Sequence, residues 1–198
     1  MKYFTFTILL LFMFSCSEPK ELQQIDLAVN QKIIDKFSSY DSKLWDDLET
    51  EFYQRLENLN LMNSKSDSLQ ALKNLMTYVT TTGYPDEFYV DLKNPQNVTL
   101  INNLQKIGFK QDDESANEFL YDLISPILKE YKEFEQLSNS PRDMLIAFGT
   151  LNPDSIRISF DLSTLDFSKN YETNDLKRPG LYKSLLIFYF SRMISENR

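Results

Sequence analysis

Apolar residues recur along this chain at steps of three and four, the spacing that lines one face of an α-helix. Leu22, Ile25, Val29, Ile33 and Phe37 form the first such face and predict a helix over about residues 20–37, with a polar opposite side. After Ser38-Ser39 the pattern resumes with Trp45, Leu48, Phe52, Leu56 and Leu59. Asp46, Asp47, Glu49 and Glu51 crowd the early turns of that helix, where the positive end of the helix dipole favours carboxylates. Leu69, Leu72, Met76 and Val79 predict a third helix, capped by Ser66 or Asp67 and stopped by Gly83 and Pro85. Asn94-Pro95 reads as an N-cap followed by proline at the first helical position. The helix it opens carries Leu100, Ile101, Leu104 and Ile107 and ends at Gly108, and it absorbs the glycosylation-like triplet Asn97-Val98-Thr99.

Further on, Leu120, Leu123, Ile124, Ile127, Tyr131 and Phe134 keep helical register across Ser125-Pro126, which predicts one kinked helix in place of two separate ones. Lys129 to Glu135 alternate in sign and read as its solvated end. Ser140-Pro141 opens a short apolar segment, Met144 to Phe148, and Asn152-Pro153-Asp154-Ser155 offers another helix start. Asp166 to Lys177 reads as a polar loop, and Pro179-Gly180 punctuates the approach to a final helix, Leu181 to Ile194. Between Leu185 and Phe190 every residue is apolar or aromatic, so this helix is hydrophobic around its circumference and belongs in the middle of a bundle. Lys183 and Arg192 confine its apolar part to eight residues, too few to cross a bilayer.

Two stretches have strand period instead. Phe88, Val90 and Leu92 alternate with Tyr89 and Asp91, and Ile156, Ile158, Phe160 and Leu162 alternate with Arg157, Ser159 and Asp161. Since an isolated strand needs a partner, the two are each other's nearest candidates. Four glycines in 198 residues argue against a turn-rich β-sandwich. The expected fold is mainly α: a single bundle-like domain of about six or seven helices, with one small β element left open at Phe88-Leu92 and Ile156-Leu162.

The N-terminal segment stands apart from this pattern. Lys2 supplies one positive charge, Tyr3 to Phe14 form a twelve-residue run broken only by Thr5 and Thr7, and Ser15 precedes the chain's one cysteine, Cys16. A twelve-residue helix rises about 18 Å against about 30 Å of bilayer hydrocarbon, so the run has the proportions of a cleaved export signal. Ending as it does at Ser15-Cys16, it resembles a bacterial lipoprotein signal, although Met13 and Phe14 depart from the usual leucine and small residue of that motif. The resemblance covers residues 1–21 and implies cleavage before Cys16, with diacylglycerol and a further acyl chain such as palmitate attached there. Ordinary secretion, with Ser15 and Ser17 as the two small residues of an A-x-A-like site and Cys16 discarded with the peptide, is the plainer alternative. The division that follows is a signal peptide at 1–15, a lipidated Cys16 with a short polar tether at 16–21, and a single helical domain at 22–198. Ser17 and the acidic residues beyond it resemble lipoproteins of the outer membrane or cell surface.

Charge and chemistry narrow the function. Loss of Lys2 with the signal takes the formal charge from −8 to −9, and no Lys/Arg-rich patch occurs, which disfavours nucleic acid and anionic lipid as charge-driven partners. The chain has no histidine, so the commonest general base, the serine–histidine triad and most zinc and iron sites are missing together. It carries no G-x-G-x-x-G, P-loop or G-x-S-x-G motif. Asp112-Asp113-Glu114 lacks the spacing and turn glycine of a calcium loop and reads as a charged helix start. No catalytic, cofactor-binding or metal-ligating residue is assigned, and Cys16 is the one site residue, for lipidation.

The expectation is a lipid-anchored envelope protein that binds another protein through a surface complementary to a basic partner, without catalysis. Two alternatives belong to other classes. One is a carbohydrate-binding or carboxylate-dependent glycan-active surface lipoprotein, which needs paired acids and aromatics such as Trp45 or Tyr84 for stacking on sugar. The other is an acidic inhibitor or immunity-type protein. Tyr40, Tyr53, Tyr84 and Tyr171 are the candidate aromatic anchors of a protein interface.

Overall fold

A computed structural model of the chain describes residues 20–63, 68–109, 113–130 and 175–195. Six α-helices lie within them: α1 (Lys20–Ser38), α2 (Leu44–Asn58), α3 (Ser68–Thr82), α4 (Pro95–Lys106), α5 (Asp113–Leu128) and α6 (Pro179–Met193). Single turns of 3-10 helix, Asp86–Phe88 and Asp175–Lys177, punctuate the connections, and no strand occurs among the described residues. The fold is mainly α, as the periodicity predicts. Signal segment, Cys16, the Ser66/Asp67 cap, Tyr131 and Phe134, the Ser140–Phe148 segment, Ile156–Leu162 and Tyr171 lie outside the described residues.

The faces read from spacing are the faces that pack. Ile25, Val29, Ile33 and Phe37 of α1 are all buried, as are Trp45, Leu48, Phe52 and Leu56 of α2. On α3 the buried stripe is Ala71, Leu72, Leu75 and Met76, while Leu69 and Val79 sit half-buried at its margins. Asn94 caps α4 as expected: its side chain accepts from the Gln96 N–H at 3.0 Å, and Pro95 occupies the first turn. Asn97 is buried and donates to the Asp91 carbonyl at 3.0 Å, so the sequon triplet is helix with its amide engaged. At the far end the Phe109 N–H closes back to the Leu104 carbonyl, which requires the positive φ of +88° that Gly108 adopts without steric cost. Helix α5 runs through Pro126 to Leu128 and buries Leu120, Leu123, Ile124 and Leu128.

Helix α6 is the axis of the assembly. Leu181, Leu185, Leu186, Ile187, Tyr189, Phe190 and Met193 are buried on all its sides. It packs most extensively against α1 and also meets α5 and α2, which accounts for its lack of a polar face. Phe37, Phe52, Phe88, Phe109, Phe119 and Phe190 fill the centre with tilted and edge-on ring contacts 5.0–6.4 Å apart, counting Trp45 and the neighbouring tyrosines.

The strand reading of Phe88–Leu92 is corrected. Phe88 and Val90 are buried as alternation demands, but Leu92 is 41% exposed, and among the described residues the backbone pairs with no second strand. The Val90 N–H donates to the Met193 carbonyl at the end of α6 (2.9 Å), while the Arg55 guanidinium of α2 donates to the carbonyls of Glu87, at 3.0 Å, and Tyr89. With a helix terminus and an arginine satisfying these groups, the segment has no need of a ladder.

Candidate functional site

Two polar constructions interrupt the apolar interior. The first joins α1 to the start of α6. Asp26, 3% exposed, accepts from the backbone N–H groups of Gly180 (3.0 Å) and Leu181 (2.9 Å), and Arg178 Nε lies 3.6 Å from the same carboxylate. A carboxylate at a helix N-terminus meets unpaired N–H groups and the positive end of the dipole. Gly180 is required by proximity: a Cβ there would stand 2.3 Å from the Asp26 carbonyl oxygen. The construction joins α1 to the start of α6.

The second lies between α2 and α6 and reaches the surface. Trp45, Glu49 and Tyr53 stand one turn apart on α2, at the edge of its buried face. The Trp45 indole donates to Glu49 at 3.1 Å, and the Tyr182 hydroxyl of α6 reaches the other Glu49 oxygen at 3.4 Å. Tyr53 and Tyr182 share a hydrogen bond between their hydroxyls, and the Lys183 ammonium sits 4.3 Å from the centre of the Trp45 ring. Burial pushes the Tyr53 phenol well above its usual range, and the Glu49 carboxylate adds to the effect, with a hydrogen bond from Ser68 opposing. Burial lowers the Lys183 amine, while Glu49 and Asp46 draw it back up.

These shifts act on stability in opposite senses. Tyr53, raised when folded, contributes stability that is present below its ordinary titration near pH 10 and is lost as pH rises towards the folded value. Lys183, lowered when folded, works against the fold while both states hold the proton, and that penalty fades as pH rises from its folded value towards about 10.4. Tyr53→Phe is therefore expected to cost about 1 kcal/mol near pH 8 through the lost hydrogen bond and to reduce the loss of stability above about pH 10. Urea unfolding at both pH values checks this, and an unchanged alkaline slope would contradict it.

Chemically the cluster is a carboxylate that accepts from the Trp45 indole and the Tyr182 hydroxyl, beside a shielded amine. No group of acidic or cysteine side chains able to hold a metal ion occurs among the described residues, nor does a helix long and apolar enough to cross a membrane. Of the expected aromatic anchors, Tyr40 is 46% exposed, whereas Tyr53 is buried and Tyr84 is half-buried against Phe88 with Arg192 over its ring. Trp45, 6% exposed and covered by Lys183, is not presented to a sugar. The Glu49 cluster went unread in the sequence, although Trp45-x-x-x-Glu49-x-x-x-Tyr53 is a visible one-turn ladder; its partners on α6 lie about 130 residues away and leave no local signal. Comparison with known proteins finds no matching family, no similar curated protein and no similar solved structure.

Proposed function

We propose that this chain is a lipid-anchored envelope protein, held by acyl chains on Cys16, whose helical domain binds a protein partner with a basic contact surface. The observation that carries the proposal is the apolar run Tyr3 to Phe14 ending at Ser15 and the chain's one cysteine. The most apolar helix, α6, is turned into the bundle: Leu181, Leu185, Leu186, Ile187, Phe190 and Met193 are buried. Cys16→Ala is expected to abolish incorporation of labelled palmitate and to release the domain from the membrane fraction, because two or three acyl chains make attachment lasting where one gives K of about 10⁴ M⁻¹. Palmitate incorporation persisting in that variant would refute the anchor.

For the partner, support comes from the exposed acids. Asp86, Glu87 and Asp91 face solvent on the segment that Arg55 pins to α2, with Lys93 as the exposed cation beside them, and Asp46 and Asp47 face solvent at the start of α2. Tyr40 is the exposed aromatic suited to anchor a contact, its hydroxyl meeting Lys106. Captured from envelope extracts, the partner should associate more slowly as salt rises, since steering is screened beyond about 8 Å at physiological ionic strength. Tyr40→Ala should weaken the complex on the order of tenfold. A salt-independent association rate, or a hydrolytic activity abolished by changing one Asp or Glu, would overturn this assignment.

A further inference from the structure

Among the described residues four large apolar side chains are exposed, and three of them border one helix. Leu92 (41% exposed) and Val98 (40%) lie at the start of α4. Tyr40 is joined to its last turn through Lys106, whose ammonium meets the Tyr40 hydroxyl and stands 4.7 Å from the ring centre. Val98, Asn102 and Lys106, all exposed, follow one another at steps of four and form a single ridge that rises about 12 Å between these ends. The sequence of α4 holds no acidic residue. Acids collect instead before it: Asp86, Glu87 and Asp91 are exposed, with Lys93 beside them.

This acidic end is held in place before anything binds. Arg55 donates to the Glu87 carbonyl, the Val90 N–H donates to the Met193 carbonyl at 2.9 Å, and the Asn97 amide donates to the Asp91 carbonyl at 3.0 Å. The last of these bonds ties the Leu92 segment to the turn of α4 that carries Val98. A surface fixed in this way has little freedom left to lose on binding.

We propose that this ridge, from Leu92 through Val98 and Asn102 to Tyr40, is the docking surface for the basic partner, and that the partner contributes an amphipathic segment with Lys or Arg at one end only. The proposal rests on the reading of a basic protein partner and adds its surface and polarity. Apolar side chains of the segment meet Leu92, Val98 and Tyr40, while its cations lie over Asp86, Glu87 and Asp91, away from Lys106. Nucleic acid or an anionic lipid surface would meet three carboxylates there and be repelled. A second copy would bring together two chains that are each net negative.

For the test, the full acylated protein in micelles of a neutral detergent, with empty micelles as the blank, is titrated into a fluorescein-labelled helical peptide. The peptide carries leucines about 12 Å apart on one face and lysines clustered at one end. Fluorescence anisotropy should show binding that weakens as salt rises, and the same peptide with glutamate for lysine should not bind. Leu92→Ser with Val98→Ser, and Asp86→Asn with Glu87→Gln and Asp91→Asn, should each weaken binding on the order of tenfold. Asp46→Asn with Asp47→Asn, at the start of α2, should leave it unchanged. All these side chains are exposed, so every variant should keep the helicity of the parent by circular dichroism. Binding that the Asp46 and Asp47 changes weaken and the Leu92 and Val98 changes do not would overturn the ridge and leave the basic partner standing. No binding at about 1 mM peptide would likewise overturn the ridge. Equal binding of the lysine and glutamate peptides would sink the ridge and the basic partner together. A dimer of the protein that the Leu92 and Val98 changes dissociate would give the ridge to a second copy, against the proposal.

Discussion

Replacing Asp26 with alanine is expected to cost the domain about 3–5 kcal/mol, the penalty typical of removing one partner from a buried charge pair. The substitution takes the carboxylate away from the buried Arg178 and leaves the first N–H groups of α6 without their acceptor in a place water does not reach. Asp26→Asn keeps an acceptor oxygen but loses the charge and should fall between parent and alanine. Gly180→Ala should be damaging by a separate route, because its Cβ would displace the Asp26 backbone from which the carboxylate is aimed. Part of the alanine cost is the lost Asp26–Arg178 pairing, so Asp26→Ala combined with Arg178→Met should lose less than the two single changes together. Urea unfolding of the chain lacking residues 1–16 provides the measurement. A midpoint for Asp26→Ala within error of the parent would show that the clasp contributes nothing to the fold.

Phe52→Ala should be comparably severe, at about 3–5 kcal/mol, the usual range for deleting a buried phenylalanine ring. The ring is fully buried and meets Tyr53, Phe88, Tyr189 and Phe190 at centroid distances of 5.3, 6.2, 6.3 and 5.4 Å. Its removal therefore opens a hole at the junction of α2, α6 and the Phe88 segment, where three elements would have to move together to close it. Phe52→Leu retains most of the volume and should cost less than about half as much. Equal losses for the two variants would mean that the ring contacts, and not the volume, carry the site.

Helical faces were legible because burial on one side of a helix writes itself into spacing: Ile25 to Phe37 on α1, Trp45 to Leu56 on α2, and Ile101 and Leu104 on α4 are buried as expected, with Leu59 and Leu100 half-buried at the margins. The caps at Asn94 and Gly108 were legible because each has a local chemical reason. Phe88–Leu92 misled for an equally physical reason: a chain draped across helix ends also buries every second residue, and only the identity of its backbone partners separates it from a strand. Asp26 was the hardest residue to read. In the sequence it is an acid beside Ile25 on a helix with a polar face; what makes it structural is a helix start about 150 residues later. The Glu49 cluster was half visible, its α2 ladder being local and its tyrosine and lysine partners on α6 remote.

That same remoteness bears on when the molecule can fold. Among the described residues the first helix of the domain finds its principal packing partner, and the N–H donors for its buried Asp26 carboxylate, in α6. Contacts of such long sequence separation are reached late and slowly, since the loop between them must be closed before it is rewarded. During synthesis from the N-terminus α1 can meet α2 and α5 first, through smaller contacts, and gains its principal partner only when α6 emerges. A circular permutant joining α6 directly to α1 would shorten that wait and is expected to fold faster.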